Sequence, residues 1–87
     1  MKTLEKIEIS EIKQNNSSSY LMVVTPYERY GTTQEPIIYN GSGFQLIDKI
    51  KDAYNYDPEE YDSIEEFLLA VDSMNGDGYD YIQVFMN

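Results

Sequence analysis

From Thr3 to Lys13 the chain reads TLEKIEISEIK. Ile7 and Ile9 fall on one side of an extended chain, with Lys6, Glu8 and Ser10 on the other. That alternation predicts a half-buried strand. Ile12 is out of phase and marks a bulge or the strand's end. A helix competes for the same residues, because Leu4, Ile7 and Glu8 also fit its period. The turn-rich 14-QNNSSS-19 follows. Next comes 20-YLMVVT-25, a continuous apolar run with two adjacent valines, which predicts a central strand ended by Pro26. A short polar loop joins these two strands, so an antiparallel hairpin is expected.

Residues 26–36, PYERYGTTQEP, read as a polar loop bracketed by prolines and carrying Tyr27, Arg29 and Tyr30. A short third strand is expected at 36-PIIYN-40, broken by 41-GSG-43. A helix then runs over 43–56, with Phe44, Ile47, Ile50 and Tyr54 on one face and Leu46 and Ala53 beside them. Ser42 and Gln45 have the spacing of a capping box. After the linker 57-DPEEY-61, Ser63 and Glu66 repeat that spacing at the start of a helix over 64–74. There Ile64, Phe67, Leu68 and Val71 follow the i, i+3, i+4, i+7 rule. Asn75 and Gly76 stop it, and 79-YDYIQVFM-86 is the last strand. The expected order is β-β-β-α-α-β. It implies an α+β, two-layer domain: an antiparallel sheet of about four strands with two helices on one face. The last strand is expected to pair with an early one.

Eighty-seven residues make one small domain with one modest core. Without cysteine there are no disulfides and no thiolate metal sites, which fits a reducing cytoplasm. No apolar run is long enough for a membrane span, and 1-MKTLEKIEIS-10 lacks the apolar core of a signal peptide. A cytoplasmic location without membrane contact is expected. The charge changes the picture more. Residues 1–51 hold six acids and six bases, whereas 52–87 hold ten acids and no base, giving the net charge of −10. Such clustering costs stability in the free protein. A merely soluble helix surface usually mixes signs, since i,i+4 opposite-charge pairs support it.

The segment 74-MNGDGYDYIQVF-85 resembles a calcium loop at first sight. With Gly78 at the glycine position, Ser73, Asn75 and Asp77 become ligands, but Val84 stands where a bidentate Glu is needed. A helix stop and a turn explain the same residues. No metal or other cofactor is expected. With no His and no Cys, the usual general base and the best nucleophile are missing, so the chain does not read as an enzyme. Direct nucleic-acid binding is disfavoured because phosphate contacts need Lys and Arg.

Tyrosine is unusually common, with nine residues. In 54-YNYDPEEYDSIEE-66 it interleaves with carboxylates. One reading is a helix connection with solvated charges and tyrosines at the core's edge. The other is a contact patch for a basic protein surface, since carboxylates pair with Arg and Lys and tyrosine rings accept guanidinium stacking. The candidate partner-binding residues are Tyr56, Asp57, Glu59, Glu60, Tyr61, Asp62, Glu65 and Glu66. Asp72, Asp77, Tyr79, Asp80 and Tyr81 extend the patch. In the last strand, Ile82 and Val84 facing the helices would leave Tyr79, Tyr81 and Phe85 as an aromatic row on the open face. That row is either half-buried cross-strand packing, an interaction surface or a homodimer face.

In its size, its lack of cysteine, the acidic half 52–87 and this mixture of carboxylate and tyrosine, the chain resembles small acidic inhibitors carried by phages and mobile elements. These are the anti-CRISPR proteins, the anti-restriction proteins and the uracil-DNA glycosylase inhibitors. The resemblance is one of character and rests on no motif. It implies a DNA-mimic mechanism in which carboxylates stand in for phosphates and occupy a basic nucleic-acid-binding groove. Of these families the anti-CRISPR proteins fit the size best, which implies a Cas effector as partner in the host cell cytoplasm. A non-enzymatic interaction module or homodimer is the alternative.

Overall fold

The computed structural model describes residues 4–27 and 35–86. Arg29 and Tyr30 of the expected loop lie outside them. Four strands, β1 (Glu5–Ile7), β2 (Ser19–Thr25), β3 (Ile37–Ser42) and β4 (Tyr81–Met86), form one antiparallel sheet in the order β1-β4-β2-β3. Helices α1 (Gly43–Ala53) and α2 (Ile64–Met74) lie between β3 and β4 in sequence. On β2 and β4 only Tyr20, Met22, Val24, Ile82 and Val84 are buried. These residues share one parity, so both helices cover the same face. Leu46, Ile47 and Ile50 of α1 meet Phe67, Leu68 and Val71 of α2 in that core. The expected α+β architecture and element order are what the chain adopts.

The expected pairing of the first two strands is corrected. β4 lies between them, with Val84 opposite both Ile7 and Met22. The strands with sustained buried alternation, β2 and β4, take the centre of the sheet. β1 has three residues and only one partly buried position, so it serves as an edge. The expected strand over 3–13 is likewise cut short. After Ile7 the chain makes a 3₁₀ turn at Ile9–Glu11. Residues three apart share a side of such a turn, so Ile9 and Ile12 both enter the core.

β3 runs through Gly41 and Ser42 rather than ending before them, pairing these with Tyr20 and Ser19. Ser42 is at once the last strand residue and the α1 N-cap, because an N-cap has extended dihedrals. Its capping box with Gln45 is closed. Phe44 donates its N–H to Asn15 O at 3.1 Å. This close approach explains Gly43, where a Cβ would run into the Lys13 carbonyl. Phe44 itself is corrected: it is 46% exposed, and Leu46 takes the core position.

Helix α1 ends three residues earlier than expected. Asn55 is left-handed with φ 51°, and Tyr56 N–H bonds back to Lys51 O at 2.9 Å. That is a Schellman stop with Asn in the usual glycine place. Helix α2 keeps its expected bounds. Its N-cap Ser63 accepts from Glu66 N–H, but Glu66 turns its carboxylate to Asp62 N–H at 3.2 Å, so only half of that capping box forms.

Candidate interaction surfaces

The connection from α1 to α2 carries the densest charge. At its start the Tyr54 hydroxyl reaches Asn75, beyond the C-terminal end of α2, at 3.3 Å. The chain then returns to Ser63 at the N-terminal end of that helix. Asp57 anchors a turn, accepting Glu59 N–H at 2.9 Å while its carbonyl accepts from Glu60 N–H. Tyr56 and Tyr61 are half-buried, packed edge-on against Phe67 at 4.7 and 5.3 Å. They form the base on which the connection rests. Above it Asp57, Glu59, Glu60, Asp62, Glu65 and Glu66 are all exposed. Six carboxylates in ten residues make an acidic ridge. Glu65 and Glu66 also sit favourably in the first turn of α2, where the helix dipole attracts negative charge. The backbone N–H at Glu65, followed by the Gln14 side chain, holds the Glu65 carboxyl below its ordinary range. Lys51 borders the ridge, its ammonium 5.2 Å from the Tyr56 ring centre.

Four of the other five candidate residues, Asp72, Asp77, Tyr79 and Asp80, lie apart, around the turn from α2 to β4. Asp72 accepts Ile9 N–H at 2.8 Å and Ser10 N–H at 3.0 Å, tying α2 to the 3₁₀ turn. Asp80 accepts Tyr27 N–H at 2.8 Å, fastening the start of β4 to the end of β2. Tyr79 precedes the strand and stacks on Tyr54 at 4.9 Å. Asp77 is exposed. Gly76 and Gly78 supply the positive φ that this turn requires.

Asn75 is the residue that sequence reasoning valued too little. Its amide donates to Ile82 O at 2.8 Å and accepts from Ile82 N–H at 2.9 Å, imitating a strand partner for β4. Tyr54 bonds both to it and to the Asp80 carbonyl, the latter at 3.0 Å. Burial raises the Tyr54 phenol above its ordinary range, which favours the protonated form that donates these bonds.

Tyr81 belongs to a third region, the sheet face away from the helices. Ile82 and Val84 face the helices, which sends Tyr81, Gln83 and Phe85 outward as the alternation implies. Tyr79 does not extend the row. The register adds neighbours that the sequence reading did not single out. Phe85 lies between Lys6 and Leu21, Leu21 beside Asn40, and Val23 between Gln83 and Ile38. Phe85, Leu21 and Val23 are half-buried by this cross-strand packing, while Ile38 is 63% and Tyr81 40% exposed. The available signal was the run YLMVVT, which is apolar at its outward positions as well as its inward ones.

Among the described residues no group of carboxylates converges to hold a metal ion, and no helix is long and apolar enough to cross a membrane. The class is a two-layer α+β domain with an acidic ridge beside the helices and a sheet face that no other described residues cover. No family model matches the chain, and neither the curated proteins nor the solved structures hold a significant match to it.

Proposed function

We propose that this protein is an inhibitor of the anti-CRISPR kind. In this reading it binds a Cas effector, or another nucleic-acid-binding enzyme, and occupies its nucleic-acid site in the host cell cytoplasm without doing chemistry itself. The observation that carries the reading is the ridge of Asp57, Glu59, Glu60, Asp62, Glu65 and Glu66, all exposed in ten residues. A basic groove that evolved for phosphates attracts such a ridge through the same charges. Lys and Arg of the target pair with the carboxylates, and guanidinium groups stack on the half-buried rings of Tyr56 and Tyr61. Asp72 and Asp80 serve the fold in this reading, and Asp77 and Tyr79 lie beyond the main contact.

The test is competition. Labelled DNA or guide RNA bound to each of a panel of purified Cas effectors is titrated with the protein and followed by fluorescence anisotropy. Stoichiometric displacement that weakens steeply with salt is expected from at least one of them. The variant Glu59→Gln/Glu60→Gln/Glu65→Gln/Glu66→Gln is expected to slow association about tenfold or more. Displacement indifferent to ionic strength, or none across the panel, rejects the ridge as a nucleic-acid mimic.

The alternative, a non-enzymatic module that pairs with itself, is favoured by a different observation. The outward face of the sheet is mostly apolar at its centre, with Gln83 its polar residue there, and has no covering layer among the described residues.

A further inference from the structure

We propose that the open face of the sheet is a dimer interface, closed by the same face of a second copy of the chain. The strands present Leu21, Val23, Ile38, Tyr81 and Phe85 on this side, with the uncharged Gln83 among them and Lys6, Asn40 and Thr25 around them. An apolar centre with a polar rim is the anatomy of a protein interface.

Charge identifies the occupant. Among the described residues no carboxylate stands on an outward strand position of this face, and Lys6 is the single charge there. A basic partner finds nothing to pair with, and a strongly acidic one meets a single lysine. An equally neutral, apolar, flat surface fits, and a second copy supplies one in a self-matching two-fold arrangement.

Area agrees. Three strands of six or seven residues and the three-residue β1, about 4.8 Å apart, span roughly 350 Å², so two facing copies cover about 700 Å² in plan. Side-chain relief brings the accessible area near the ~1,200 Å² at which specific interfaces begin. Sheets packed in this way lie about 10 Å apart with strands crossing at about 30°. Both helix layers then face outward. The two acidic ridges sit on opposite sides, separated by more than the ~8 Å over which charge is felt at physiological salt. The charge of −10 on each copy therefore opposes this dimer only weakly.

The experiment is sedimentation equilibrium on the full chain from about 1 to about 500 μM, at about 0.15 M and about 1 M salt. The mass is expected to rise from 10.1 kDa toward twice that value, with the midpoint at lower concentration in high salt. Phe85→Asp and Val23→Asp are expected to move the midpoint at least about tenfold upward. Ile38→Lys changes an exposed side chain that the fold does not need, so a shift there is not ascribable to unfolding, and circular dichroism of each variant checks this. Glu59→Gln/Glu60→Gln leaves the midpoint unchanged. A mass of 10.1 kDa across the whole range overturns the proposal. So does a dimer lost in Glu59→Gln/Glu60→Gln but not in Ile38→Lys, or a monomer that binds an unlike protein through Ile38. Salt strengthens this contact and weakens the one proposed for the ridge, so either reading can fail without the other.

Discussion

Between Tyr56 and Glu66 the carboxylates stand in water and their hydrogen bonds are mostly local, whereas between Asp72 and Tyr81 two of the three aspartates reach across the fold to backbone N–H groups. Both stretches mix tyrosine with acid, and composition does not tell them apart. The difference lies in what each stretch faces. The 3₁₀ turn exposes the N–H groups of Ile9 and Ser10 without intrahelical partners, and Asp72 stands where it can accept both. The backbone of the connection finds acceptors within a few residues, through Asp57 and Glu66. Glu59, Glu60 and Asp62 are left pointing outward with no hydrogen bond to their carboxylates among the described residues. Carboxylates that hold the fold together are thus separated from those left in solvent.

The sharpest way to break this comparison is to remove the hub of the α2–β4 turn. Asn75→Ala strips Ile82 of both of its side-chain partners and Tyr54 of one acceptor. Two part-buried backbone groups lose their bonds, so a loss of about 2–3 kcal/mol is expected in urea unfolding. A loss under about 0.5 kcal/mol, within the range of ordinary surface changes, shows that water replaces the amide and that this turn is no more structural than the ridge.

The next contrast sets the two kinds of acid side by side. Asp72→Ala is expected to cost about 2 kcal/mol, because two charge-assisted bonds to backbone disappear. Glu59→Gln/Glu60→Gln is expected to change stability by less than about 0.5 kcal/mol, in the stabilising direction, since it relieves like-charge repulsion. Raising the salt is expected to raise the melting temperature of the parent more than that of the Gln pair. Equal costs for Asp72 and for the Glu pair erase the distinction.

Much of this was legible in the residues themselves. The period of Ile64, Phe67, Leu68 and Val71 located α2, and the Ser42–Gln45 spacing marked the true start of α1. Alternation in the last strand gave the face that Ile82 and Val84 bury. What was not legible depended on partners distant in sequence. Nothing local to IEISEIK says that β4 occupies the place beside β1 that β2 was expected to take, or that Asp72, 63 residues from Ile9, terminates the strand pattern there. The acidic ridge was visible as a run of letters. Its separation from Asp72 and Asp80 was not, because those two are distinguished by long-range bonds rather than by neighbours. The open face was read from the last strand alone, and its extent was not legible for a related reason: outward residues of β2 and β3 join it only when the register is known.

One ridge carboxylate blurs the comparison, and it gives the smallest but most specific test. Glu65 belongs to the exposed set, yet it accepts from Gln14 Nε2 at 2.8 Å across 51 residues. Its carboxyl is held below the ordinary range first by the backbone N–H at the start of α2 and second by that amide. A carboxyl depressed in the folded state stabilises the fold above its unfolded value, and the contribution disappears as pH falls through the lowered folded value. Gln14→Ala removes the second cause and leaves the first, so the Glu65 midpoint, followed by NMR titration of its side-chain carbonyl carbon, is expected to move part of the way back up. Melting near neutral pH stays almost unchanged, because both partners are exposed and screened. The acid limb of the stability curve shifts slightly upward in pH in that variant. A Glu65 midpoint that does not move assigns the depression to the helix terminus alone. Glu65 then becomes a ridge residue like Glu59, held by nothing outside its own segment.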